Sequence, residues 1–142
     1  MAKLIVDSSV WIDFFNIKAC FQIEHLRRLL VKSEANSPII IVPVILQEVL
    51  QGIEDDKFYK LVKENMHGLD YLDYEPYEFS IKAADLYRTL RRKGVTIRKA
   101  NDCLIASICI QNNIPLFHND KDFDNIAKHT SLKIYKPTND KN

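Results

Sequence analysis

Short apolar runs alternate along the chain with longer segments in which apolar residues recur every three or four positions. The first pattern is that of buried strands and the second that of amphipathic helices. Their alternation predicts an α/β domain with a mainly parallel sheet. Strands are expected at Lys3–Val6, Ile39–Val42, Leu69–Leu72, Pro115–His118 and Lys133–Tyr135. Helices are expected at Val10–Asn16, Phe21–Ala35, Pro43–Gln51, Asp55–Met66, Pro76–Lys93, Asp102–Gln111 and Lys121–Lys128. Gly68 and Gly94 follow helical patterns, where C-terminal caps belong. Residues 1–136 read as a single domain and 137–142 as a polar, frayed tail.

One carboxylate interrupts this pattern. In LIVDSSVWIDFF, Asp7 stands between two segments that both look like core, where a buried strand more often ends in Gly, Asn or Pro. The rest of the composition narrows the setting. A chain of 142 residues with 46% hydrophobic content can bury the core of one domain, and a net charge of +1 argues neither for nor against a polyanionic partner. Cys20, Cys103 and Cys109 form an odd set without C-x-x-C spacing, which fits reduced thiols in a cytoplasmic protein. No stretch approaches the roughly 20 apolar residues that span a bilayer, so no membrane partner is expected.

Topology gathers further acids around Asp7. Every strand of a parallel sheet ends at the same edge, and ligands collect in the crevice outside it. Asp7 ends the first strand, Asp120 follows the strand PLFH, and Asp102 opens the helix that precedes that strand. Glu48 lies about 7 Å from the start of the helix after IIIV, at about 1.5 Å per residue. Each has a plain structural reading: Asp102 as a first-turn acid facing a helix dipole, Asp120 as an N-cap, Glu48 as a solvated helix residue. Asp7 resists one, because a carboxylate between core segments needs a partner. Clustered carboxylates either hold protons at raised pKa or bind a cation. An all-oxygen set suits Mg²⁺ or Mn²⁺, and without Cys or His it does not suit structural zinc. Metal-assisted phosphodiester hydrolysis is the chemistry such a site favours.

Four stretches carry a resemblance: IVDSSVWIDFF, VPVILQEVLQG, RRKGVTIRKANDCLIASICIQNNIPLFHNDKDF and the closing short strand. In that order, over nearly the whole chain, they resemble a PIN domain, and more narrowly the VapC toxins of bacterial toxin-antitoxin pairs. The resemblance implies a three-layer α/β/α fold and a Mg²⁺- or Mn²⁺-dependent endoribonuclease. Asp7, Glu48, Asp102 and Asp120 would form its acidic tetrad, Asp122 a further metal-binding acid, and Ser9 the hydroxyl that supports Asp7. It also implies a homodimer neutralised by a VapB-like antitoxin, whose C-terminal segment lies across the acidic groove in the family.

One position departs from the family. His118 stands where Thr or Ser is usual, and is expected to orient the site by hydrogen bonding to a metal-binding carboxylate, or to approach the substrate phosphate. His25, His67 and His129 have no such placement and are expected on the surface. Arg88, Arg91, Arg92, Lys93, Arg98 and Lys99 crowd ahead of Asp102. A solvated helix terminus explains part of this run but not Arg98 and Lys99 beyond Gly94. Arg91, Arg92, Arg98 and Lys99 are therefore expected to contact RNA phosphates. Trp11, Phe14 and Phe15 read as core or dimer packing rather than a base-stacking platform. Two rivals share the fold: a PIN nuclease of RNA processing without an antitoxin, and a catalytically silent binding module, which the presence of all four acids disfavours.

Overall fold

The computed structural model describes residues 2–16, 25, 27–28 and 37–137. The expected helix over 21–35 and Cys20 lie outside these residues, apart from positions 25, 27 and 28. The elements run β1 (Leu4–Val6), α1 (Ser8–Phe15), β2 (Ile39–Ile41), α2 (Pro43–Gln51), α3 (Asp56–His67), β3 (Asp70–Tyr71), α4 (Pro76–Arg92), α5 (Ala100–Asn112), β4 (Leu116–Phe117) and α6 (Lys121–His129). They form three layers, α/β/α, with the strands in the order β3-β2-β1-β4, all parallel.

Every residue of β1, β2 and β4 is buried and apolar, as a strand covered by helices on both faces requires. The edge strand β3 is polar and exposed, and Asp70 is tied to Lys3 by an ion pair. The register pairs Ile5 with Ile40 on one side and with Leu116 on the other, so the three central strands end together. The fifth strand expected at Lys133–Tyr135 shrinks to a bridge between Leu116 and Ile134, held by Leu116 N–H to Lys133 O and Tyr135 N–H to Leu116 O, 2.9 and 2.8 Å. Pairing beyond that rung has no substrate, because β4 itself is only Leu116–Phe117.

Around the sheet, α5 is buried along nearly its whole length, through Cys103, Ile105, Ala106, Ile108 and Cys109. It packs mainly against α4, while α2 bridges α1, α3 and α5. Trp11 is core: its indole N–H donates to Val6 O at 3.1 Å and its ring stacks on Phe15, which meets Phe58 edge-on. His25, expected on the surface, is instead half-buried, 2.6 Å from the Tyr135 hydroxyl and against the Phe117 ring. Aromatic neighbours far apart in sequence draw it inward, whereas His67 and His129 are exposed. Among the described residues no helix is long and apolar enough to cross a membrane.

Gly94 ends α4 with φ at 84°, a left-handed conformation. Gly94 N–H donates to Arg91 O at 3.0 Å and Val95 N–H to Leu90 O at 2.9 Å, the paired bonds of a Schellman cap. A Cβ there would meet nothing within 4 Å, so substitution carries only the backbone cost. Gly94→Ala is expected to lower unfolding free energy by about 1 kcal/mol. Urea titration should show an earlier midpoint with an unchanged slope.

Candidate active site

Asp7 sits one residue beyond β1, where its backbone N–H donates to Phe117 O at 2.8 Å and closes the β1–β4 ladder. Its side chain then caps α1, with Oδ2 accepting from Ser9 N–H at 3.0 Å and from the Ser9 hydroxyl at 2.6 Å. That cap explains why α1 begins at Ser8 rather than at the expected Val10. The Ser9 hydroxyl also accepts from Asn119 N–H at 3.0 Å, and the Asn119 amide donates to Asp13 at 2.8 Å. These bonds lace the start of α1 to the loop after β4.

The other acids reach the same edge by different routes. Helix α5 begins at Ala100, so Asp102 occupies its first turn and is only 3% exposed. Asp120 caps α6, accepting from Asp122 N–H at 3.0 Å, so its capping role and its rim position are both real. Glu48 is half-buried on α2, where Ser8 donates its hydroxyl at 3.3 Å and Asn101 adds a second side-chain bond. Ser8, Asn101, Asn119 and Asp13 were not singled out in the sequence. Their signal was adjacency, since Ser8 and Asn101 flank Asp7 and Asp102 directly.

Charge is unevenly settled across this group. Burial, then the Asp7 charge, then Asp120 push the Asp102 carboxyl up to about 7. Burial and Asp7 also raise Glu48, against the pull of Asn101 and Ser8. At Asp120 burial acts upward too, but the Asp122 N–H, Lys99 and Arg98 outweigh it and hold the group below its ordinary value. Lys99 Nζ is 3.3 Å from Asp120, and Arg98 bridges Asp120 at 3.4 Å and Asp122 at 3.3 Å. Two buried oxygens, Asp7 Oδ1 and Asp102 Oδ2, have no hydrogen-bond partner among the described residues.

Orphaned carboxylate oxygens in an all-oxygen donor set fit a hard divalent cation. Among the described residues no three such side chains already enclose one point. Arg98 and Lys99, expected on phosphates, are paired with Asp120 and Asp122.

His118 is placed differently from either expected form. Its side chain is only 5% exposed, with Nδ1 accepting from Asp120 N–H at 3.0 Å and Nε2 at 3.0 Å from Asp124. Phe123 packs on the ring. The imidazole therefore steadies the backbone of Asp120, not its carboxylate. A Ser or Thr oxygen can accept from the N–H two residues on in the same way.

With the acids, caps and sheet edge in place, the family profile described as PIN domain matches residues 4–129. The chain belongs to the PIN domain family. This PIN domain is 35% identical over 130 residues to VapC ribonuclease Mb1587 of Mycobacterium bovis and to ribonuclease VapC11 of Mycobacterium tuberculosis, covering 92% of the chain and 96% of each relative. It is 31% identical over 136 residues to ribonuclease VapC1 of Methanocaldococcus jannaschii, covering 94% and 88%. Its fold matches DNA-bound VapBC from Salmonella typhimurium with a TM-score of 0.73 at 21% identity, over 95% of this chain and 98% of that one.

Asp102 gives the metal-free PIN domain a pH-dependent stability. Its folded pKa, about 7, lies above the ordinary carboxyl value of 3.8. Between those values the folded protein keeps a proton that the unfolded chain has released, so stability falls as pH rises through the window. In chelator, Asp102→Asn is expected to melt several degrees above wild type at about pH 8, with the gap narrowing toward about pH 5. A gap that widens on acidification would contradict the raised carboxyl.

Proposed function

We propose that this chain is a VapC-type toxin, a divalent-metal-dependent endoribonuclease restrained by a VapB-like antitoxin. The observation that carries the metal dependence is the pair of buried, partnerless oxygens on Asp7 and Asp102, within charge range of Glu48 and Asp120. The ribonuclease activity is supported by relatives named VapC ribonucleases over more than nine-tenths of the chain.

Asp7, Glu48, Asp102 and Asp120 would hold Mg²⁺ or Mn²⁺, with Asp122 beside them. When bound, the ion supplies a lowered pKa for a nearby water and stabilisation of charge growing on the phosphodiester. The chain's own residues prepare the place. Ser9 fixes one oxygen of Asp7 and leaves the other turned free. Ser8 and Asn101 orient Glu48, and His118 sets the backbone of Asp120. Arg98 and Lys99 pair with Asp120 and Asp122, and would lie beside a substrate phosphate bound at this rim. Arg91 and Arg92 extend that cationic surface.

The antitoxin is supported by fold neighbours that are toxin-antitoxin assemblies, from Salmonella typhimurium and from Klebsiella pneumoniae. A homodimer is supported by exposed apolar side chains, Leu61 on α3 and Tyr71 on the edge strand.

Asn caps helices as well as Asp does, so Asp7→Asn keeps α1 intact and removes only charge. Cleavage of RNA in Mg²⁺ is expected to fall more than about 100-fold, beyond the loss typical of residues that merely support a metal ligand. Circular dichroism should stay unchanged. Wild-type cleavage by the folded variant, or cleavage by wild type in excess chelator, would reject the metal-dependent reading.

For His118 the geometry sets a rescue. His118→Ala removes the acceptor for Asp120 N–H and is expected to cost about 10- to 100-fold in cleavage rate. His118→Thr restores an acceptor and should recover most of it, while His118→Val, of similar shape without the oxygen, should not. Equal rates for the Thr and Val variants would discard the backbone role.

A further inference from the structure

A cleft of about 900 Å³ has Arg98, the partner of Asp120 and Asp122, in its lining. One wall is a stripe of α4 carrying Ala83, Ala84, Tyr87, Arg88, Arg91 and Arg92, and the other is the segment of Ile97, Arg98 and Ala100 that leads into α5. Ile97 is buried beneath it, and the alanines keep the floor low. Among the described residues Arg88, Arg91 and Arg92 are exposed and make no ion pair, whereas Arg98 is paired with Asp120 and Asp122. Arg98 therefore belongs both to the cleft and to the acidic rim, and the two form one continuous surface.

We infer that this cleft is the approach path of a single-stranded RNA, with Tyr87 as a base-stacking platform and Arg88 and Arg92 as backbone phosphate contacts. The inference rests on the ribonuclease reading above and adds a path along α4 and two residues, Tyr87 and Arg88, that the resemblance did not supply. Four features of the cleft support it. Guanidiniums without an ion pair on successive turns of α4 make this wall attractive to an anionic occupant. Arg88 and Arg92 lie about 6 Å apart along the helix at about 1.5 Å per residue, on the scale of one nucleotide step in an extended strand. A single aromatic among them suits an unstacked base, which any sequence can offer. The cleft is recessed, and a duplex, recognised across a broad shallow groove, has no way to present an unpaired base to Tyr87. An acidic peptide would satisfy the arginines but gives no reason for the cleft to run into the acidic rim, which would repel it.

The test uses the full chain carrying Asp7→Asn in Mg²⁺, so that a labelled RNA stays uncut. The probe is a mixed-sequence single strand of about 12 nucleotides, within the range covered by known single-strand sites, alongside the same sequence as a duplex. Tyr87→Leu keeps apolar bulk against the core and Tyr87→Phe keeps the ring, so unfolding does not decide the outcome. Tyr87→Leu is expected to weaken single-strand binding about 10-fold and Tyr87→Phe to leave it near the parent value. Arg88→Ala and Arg92→Ala should each lower the slope of log affinity against log salt by about 0.7. The inference is overturned if the parent binds RNA but these variants match it in affinity and slope, or if duplex binds as tightly as single strand. It is also overturned if the variants lose only a co-expressed VapB-like protein, which would make the cleft a protein site. Failure of the otherwise wild-type chain to cut any RNA would instead reject the ribonuclease reading itself.

Discussion

Mutual repulsion among carboxylates at the closed end of a parallel sheet is the constraint around which this molecule is arranged. Asp7 and Asp102 are each 3% exposed, so water cannot screen them from one another. The fold offsets the charge with what lies nearest. Helices α1, α5 and α6 all begin at this rim, and their N-terminal N–H groups and positive dipole ends face the acids. Asp7 and Asp120 spend one oxygen each as caps on two of these helices. Arg98 and Lys99 supply the only full positive charges paired with Asp120 and Asp122 among the described residues. What remains uncompensated is concentrated on Asp7 Oδ1 and Asp102 Oδ2.

The scaffold makes this arrangement possible with short strands. The short strands β1, β2 and β4 hold register because they are buried between helices and because Asp7 N–H and the Leu116–Ile134 bridge extend pairing past the formal strand ends. A one-residue slip would carry Asp7 into the core, where nothing could solvate it, so the charge that strains the site also fixes the sheet's register.

Much of this was legible in the sequence because it depends on periodicity and on strand ends. The strands at Ile39 and Leu116, the helices at Pro43 and Pro76, and the common edge of the acids follow from those patterns alone. Helix starts were less legible: α1 and α5 each begin two residues before the expected Val10 and Asp102, because a side-chain cap and the return from Gly94 set them, not the apolar stripe. Pairings between distant residues were not legible at all. Nothing in PLFHND says that the imidazole takes a backbone N–H, nor does the basic run before Asp102 say that Arg98 and Lys99 turn toward the acids. His25 looked like surface until Phe117 and Tyr135 were folded against it.

Burial at Asp102 and the partners gathered at Asp120 together set the two acids apart. Arg98 and Lys99 immediately precede α5, and from there they reach Asp120 rather than Asp102, which lies in the helix's own first turn with its side chain buried. Against burial, the Asp122 N–H, Lys99 and Arg98 hold Asp120 below its ordinary pKa, while burial and the Asp7 charge push Asp102 up to about 7, so the two carboxyls differ in charge on the acid side of that value. Environments that drive paired titratable groups apart mark sites where protons or cations are exchanged, because the less stable anion is relieved by either. Here the asymmetry is written into chain order: cations at 98 and 99, the proton-holding acid at 102, and the ionised acid across the rim at 120.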